Sequence, residues 1–266
     1  MTFGEVDAAW AALEAGDPRG ALAHLDALVK KEIRSPHSGP VAALAWLDLG
    51  EPTRAEAALA RAREELDPND PDLLWALGEC ALAGWRLVDA ERAYRAVHAC
   101  DPEFAPACER LALLCDLAGR EAEADRWQSV AAELNPETFP EPHHLTPAAF
   151  EKVVARAALD LPPPFQAGLA AIPVLIDPVP RAELAARAPY DTPAGALGLF
   201  VGASQLERSV ESSGEAPAAI YLFQRNLERA SFDPAELEHE IRVTLYHELA
   251  HALGFDEDGV DAMGLG

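Results

Sequence analysis

One landmark recurs at a fixed interval through the first half of this chain: Asp67-Pro68, Asp101-Pro102 and Asn135-Pro136 stand 34 residues apart. Gly16, Gly50 and Gly84 keep the same interval, and Gly119 falls one place late. A period of that length marks stacked supersecondary units, each too small to bury its apolar face without its neighbours. In the clearest unit two helical stretches lie between the landmarks, one through Leu73, Leu74, Ala76, Leu77, Gly78, Cys80 and Ala81, the next through Ala90, Ala93, Tyr94 and Val97. The small residues let paired helices approach closely. Each proline stops a second helix, since it lacks an N–H and clashes with the preceding turn.

The pattern resembles tetratricopeptide repeats over residues 3–138, with units 37–70, 71–104 and 105–138. They follow a divergent unit, 3–36, in which Arg34 stands where later units carry proline, as a capping repeat tolerates. The resemblance implies an all-α solenoid whose concave face holds a peptide or protein partner. Trp10, Trp46, Trp75, Trp85 and Trp127 all lie here and read as packing between hairpins. His24, His37 and His98 belong to no motif. Cys80, Cys100, Cys108 and Cys115 have no zinc or redox spacing, and Cys108 and Cys115, seven apart, share a helix face as buried thiols do.

A proline-rich linker, 139–145, follows. Thr146-Pro147 reads as N-cap and first residue of a helix through Phe150, Val153, Val154 and Ala157 to about Leu159, which Leu161-Pro162-Pro163-Pro164 ends. The pattern then turns to strands, at Ile172–Ile176, Gly195–Gly202 and Ile220–Phe223, with a polar loop over 205–217. Ser231-Phe232-Asp233-Pro234 opens a last helix, with Asp233 as N-cap. Residues 146–266 are therefore expected to form a small α+β domain.

That last helix carries Ile241, Leu245, Leu249 and Leu253 on one face and His247-Glu248-Leu249-Ala250-His251 along its final turns. Residues four apart stack on a helix, so two imidazoles can meet one metal ion while Glu248 stands about 100° round the axis. A catalytic zinc takes three protein ligands and keeps a position for water, whose proton a non-ligand glutamate can accept. Gly254 suits the left-handed end of such a helix. The third ligand is expected from the acidic cluster Asp256, Glu257 and Asp258 beyond that turn, or from His143, His144 or His239 upstream. With fifteen residues after His251, a glutamate on a later helix is not expected. Met263 reads as packing.

From about Phe150 onward the chain is similar to the bacterial zincin-like minimal metallopeptidases. The order matches: Leu161-Pro162, the run Ile172–Asp177, Leu197-Gly198-Leu199-Phe200-Val201-Gly202, Ile220–Phe223, then the motif helix. The resemblance implies a zinc peptidase with His247, His251 and Glu257 as ligands and Glu248 as base. The family more often has Asp at the third-ligand place, which leaves Asp256 and Asp258 as rivals to Glu257. By analogy with zincins, Gly198, Leu199, Phe200, Val201 and Gly202 form the strand beside which an extended substrate lies. Tyr221 and His239 are the candidates for stabilising the oxyanion. A second reading is a repeat scaffold whose zincin domain binds metal without cleaving. The intact Glu248 weighs against it, because a purely structural site needs no base.

Forty-five acids against 21 bases give a net charge of −24. With no Lys/Arg stripe to neutralise phosphates, nucleic acid is not an expected partner. No basic, apolar leader opens the sequence and no apolar run approaches membrane-spanning length, so a cytoplasmic protein is expected.

Overall fold

The computed structural model describes residues 3–31, 33, 35–141, 143–186, 193–202 and 218–255. Eight helices come first: α1 (Phe3–Glu14), α2 (Pro18–Lys30), α3 (Ser38–Asp48), α4 (Pro52–Glu65), α5 (Pro71–Ala83), α6 (Leu87–Cys100), α7 (Ala105–Leu117) and α8 (Glu121–Leu134). The chain divides into two compact units, Met1–Leu114 and Cys115–Gly266, with the division inside α7.

In the first unit α1 packs on α2, α3 on α4 and α5 on α6, while α3 also lies against α1 and α5. The turns explain why Gly119 comes one place late. The left-handed residues are Gly16, Gly50, Trp85 and Gly119, with φ of 73°, 70°, 56° and 70°. Gly84 itself has φ −84°. In all four hairpins the residue after the left-handed one donates to a carbonyl five back: Asp17 to Ala12, Glu51 to Trp46, Arg86 to Ala81 and Arg120 to Cys115, each at 2.8 Å. This closure satisfies carbonyls that the helix end would otherwise leave unpaired. The structural repeat therefore runs 16, 50, 85, 119, and Trp85 takes a glycine's place in the third hairpin. Gly78 serves a different purpose, since a Cβ there would fall 2.4 Å from Tyr94 Cε1. The fully buried Tyr94 donates its hydroxyl to Glu79 at 2.7 Å, and Arg110 reaches the same carboxylate at 2.8 Å. Trp75 packs against Tyr94 and Phe104. Cys80 and Cys108 are buried free thiols.

The second unit continues with α9 (Pro147–Leu159), α10 (Pro163–Leu169), β1 (Val174–Asp177), α11 (Ala182–Ala185), β2 (Gly198–Val201), β3 (Ala219–Phe223), α12 (Gln224–Arg229) and α13 (Pro234–Leu253). Thr146 caps α9 as expected, accepting from Ala149 N. The three-proline run does more than end α9, because proline's fixed φ and missing N–H suit a first helical turn and α10 starts there. α12 follows β3 with no glycine or proline between them.

Strand order is β1-β3-β2, with β1 parallel and β2 antiparallel to β3. Alternation sends Phe200, Ile220 and Leu222 to the face shared with Phe150, Val154, Ile241, Leu245 and Leu249. Leu199, Val201 and Phe223 pack with Leu184 in a separate cluster. Both faces of β2 are thus buried. The sequence places a domain boundary at 139–145, whereas the unit that carries the motif begins at Cys115 and includes α8. Among the described residues no helix is long and apolar enough to cross a membrane.

Candidate metal centre

The helix carrying the motif is defined at both ends. Asp233 accepts from the backbone N–H of Ala235 and Glu236 at 2.8 and 2.9 Å, and Glu236 reaches back to Phe232 N at 2.5 Å. Two donors that the first turn cannot pair are thereby satisfied. At the other end Gly254 has φ 101°, and Phe255 N bonds to Ala250 O at 3.1 Å. Leu245 and Leu249 are fully buried under the sheet, which fixes the rotation of α13 and turns His247, Glu248 and His251 as one group.

His247 Nε2 and His251 Nε2 lie 3.0 Å apart with the rings tilted 73°. His251 Nδ1 is 3.1 Å from Phe255 O. An Nδ1–H donated to a carbonyl leaves the Nε2 lone pair for a partner, which is how metal-binding imidazoles are commonly oriented. Two ring nitrogens on one tetrahedral zinc stand ~3.3 Å apart, given zinc–nitrogen distances of about 2.0–2.1 Å. A spread of a few tenths of an ångström would admit the ion, so the donor set fits.

Glu248 is 5% exposed, and its Oε2 accepts from Phe200 N at 2.6 Å. The carboxylate reaches the strand because residue 198 has no side chain: a Cβ on Gly198 would lie 2.5 Å from Thr244 Cγ2 and 3.1 Å from Glu248 Cγ. The motif helix comes close to the glycine-punctuated strand at this point. β2 is an edge strand by sheet order, and Gly202 ends it with φ 129°, where a Cβ would meet Ala218 Cα at 2.7 Å. Of the proposed substrate strand, the N–H of Phe200 already has the Glu248 carboxylate as partner.

Asp256, Glu257, Asp258 and Met263 lie outside the described residues. His239 is exposed, its Nδ1 2.8 Å from Arg242. His144 is engaged by Glu228 at 2.7 Å and Asp125 at 2.9 Å, so its ring nitrogens are committed away from the histidine pair. Tyr221 packs with Leu199, Val201 and Phe223, apart from the cluster that contains α13. Phe165 meets Tyr246 edge to face at 4.1 Å beside His247, a contact the sequence reading did not anticipate. Among the described residues another group of metal-type side chains is His37, Asp70 and Asp72 in the first unit. Asp70 there caps α5 through Leu73 N at 3.0 Å, and burial, then the neighbouring Asp70 charge, holds Asp72 above the usual carboxylate range.

Residues 169–265 match the zincin-like metallopeptidase family, and residues 6–51 and 41–105 match the tetratricopeptide repeat family. Similar solved structures include YrrB, described as a TPR protein with an unusual peptide-binding site. It is 19% identical, covering 50% of this chain and 68% of that one, at TM-score 0.39. MamA is 20% identical over 48% of this chain and 74% of that one, at TM-score 0.39. A MamA RS-1 ArsTM double mutant is 24% identical over 50% and 74%, at TM-score 0.40. No curated protein matches the chain. The chain is therefore a tetratricopeptide-like helical region followed by a small α+β zincin-like region.

Proposed function

We propose that the C-terminal region is a zinc-dependent peptidase and that the repeat region, taken as 3–138 with a linker at 139–145, recruits the protein or peptide to be cut. The observation that carries the reading is the convergence of His247 and His251 Nε2 at 3.0 Å with the buried Glu248 carboxylate between them in sequence. His247, His251 and Glu257 would hold the ion, and Asp256 would steady a ligand imidazole through its free ring nitrogen. Bound zinc would polarise a scissile carbonyl and bring the pKa of a water toward 7. Glu248 would serve as the base for a water's proton and as the donor of that proton to the leaving amine. Gly198 keeps Glu248 against β2, and the strand Gly198–Gly202 offers its remaining edge groups to an extended substrate.

The Phe200–Glu248 hydrogen bond also supports a second reading, in which the carboxylate buttresses the strand and the region is a non-cleaving module on a repeat scaffold. Metal analysis together with cleavage of a peptide library, on wild type and Glu248→Gln, separates the two. The peptidase reading expects about one zinc per chain in both and cleavage in wild type alone. Zinc without cleavage in both leaves the scaffold. Glu257→Ala is expected to weaken zinc binding far more than Asp256→Ala or Asp258→Ala, and equal losses from all three would remove the third-ligand assignment.

A further inference from the structure

Charged side chains gather where α8 and the proline-rich stretch meet α12. Asp116, 4% exposed, accepts from Arg225 Nε at 2.9 Å and is also paired with Arg229. Arg225 reaches Asp125 at 2.5 Å. His144 stands among them, Nδ1 at 2.7 Å from Glu228 Oε2 and Nε2 at 2.9 Å from Asp125 Oδ1. The Glu228 side chain is fully buried, and its other oxygen accepts from Leu145 N at 2.9 Å and Gln224 Nε2 at 2.7 Å. Gln224 also donates to Leu145 O at 2.8 Å, and Gln128 to Pro140 O at 2.8 Å, so both ends of the stretch are held.

Arg225 and Arg229 pair with Asp116, and Arg225 also with the half-exposed Asp125, whereas the fully buried Glu228 has no arginine partner among the described residues. An uncompensated buried carboxylate is strongly unfavourable. Within this cluster His144 is the remaining group able to become positive: its Nδ1 faces Glu228 Oε2, and its Nε2 lies between Asp125 Oδ1 at 2.9 Å and Arg225 Nη1 at 2.8 Å. A neutral imidazole donates from one nitrogen only, an imidazolium from both. We propose that His144 is an imidazolium at neutral pH and acts as a proton-dependent clasp that holds the proline-rich stretch and α8 to α12.

The groups facing it are Glu228 and Arg225 from α12 and Asp125 from α8, with Asp116 and Arg229 behind Arg225. The hydrogen bond to Glu228 raises the His144 pKa above the ordinary 6.5, against burial and the positive Arg225. A raised folded value makes the contribution complete below the unfolded pKa and lost as pH rises through the folded one. The consequence reaches β2, because Asn226 on the same short helix donates to Ala194 O at 3.2 Å and Ala196 O at 2.8 Å, just ahead of the strand that holds Glu248.

The test follows the His144 ring nitrogens by nitrogen NMR in the full chain, together with amide exchange at Leu145, between pH 6 and pH 9. Both ring nitrogens are expected to remain protonated past pH 7. Leu145 protection, corrected for intrinsic exchange, should then fall at least tenfold as the proton leaves, and in His144→Gln it should be low and independent of pH. Titration of His144 at or below 6.5, or Leu145 protection that ignores both pH and substitution, overturns the proposal. If His144→Gln does not fold, the wild-type ring titration decides by itself.

Discussion

Each half of the chain holds a glycine against which another residue presses closer than a Cβ would allow, and the two contacts do different things. Gly78 admits the ring of Tyr94, which buries an aromatic between paired helices and sends its hydroxyl to Glu79. Gly198 admits Thr244 and Glu248, which brings a carboxylate onto a strand N–H one turn from two convergent histidines. In the repeats, close approach ends in packing. In the C-terminal unit it positions a group able to move a proton. The same economy of side-chain volume therefore supports stability in one region and chemistry in the other.

The comparison can be tested from its strongest claim downward. Glu248→Gln is expected to lower peptide cleavage by about 10²–10⁴-fold, the usual contribution of a positioned acid–base group, with zinc content and melting temperature little changed. A steady-state assay beside metal analysis measures this, and unaltered cleavage would return Glu248 to the same rank as Tyr94. His251→Ala should remove stoichiometric zinc, since half of the convergent pair goes with it; zinc retained at one per chain would place the ion elsewhere. Gly198→Ala and Gly78→Ala should each destabilise their own unit by about 1–3 kcal/mol through overpacking. Only Gly198→Ala should also reduce cleavage, because only there do the crowded atoms include one of Glu248, its Cγ at 3.1 Å beside Thr244 Cγ2 at 2.5 Å. Denaturant melts with parallel assays distinguish the two, and equal loss of cleavage would erase the contrast. The smallest effect expected is that of Gly50→Ala, about 1–2 kcal/mol for placing a Cβ at φ 70°, read from the urea midpoint.

What could be read from the sequence followed from local rules. The 34-residue landmarks gave the helical hairpins, Thr146 and Asp233 announced their helices as caps, and Gly254 ended α13 in the left-handed conformation. Periodicity alone put His247 and His251 on one face. Harder cases arose where one residue type serves two ends of an element. The run Pro162–Pro164 closes one helix and opens the next, and Trp85 holds a left-handed turn that glycine holds in the other hairpins.

The linker histidines show the same limit from the side of charge. His143 and His144 stand in the sequence as upstream candidates for a metal ligand in a proline-rich stretch, yet His144 lies between Glu228 and Asp125, residues 84 and 19 positions away. No window of sequence reports a partner at that distance. Glu248 is similar, since its identity as a candidate base comes from two neighbours on a helix, while its hydrogen bond to Phe200 spans 48 positions.

The sequence by itself determined the two-part layout, the capped helices α9 and α13 and the three strands to within a few residues, and the pair of histidines one turn apart, because hydrophobic period, caps and turns act over a few residues. Tertiary structure alone decided that α13 lies on β2 at Gly198, that Phe200 holds the Glu248 carboxylate, and that α8 is clasped to α12 through His144. Those outcomes depend on which atoms are excluded from the same space and which buried charges must balance, and both are set by residues that meet only after the chain has folded.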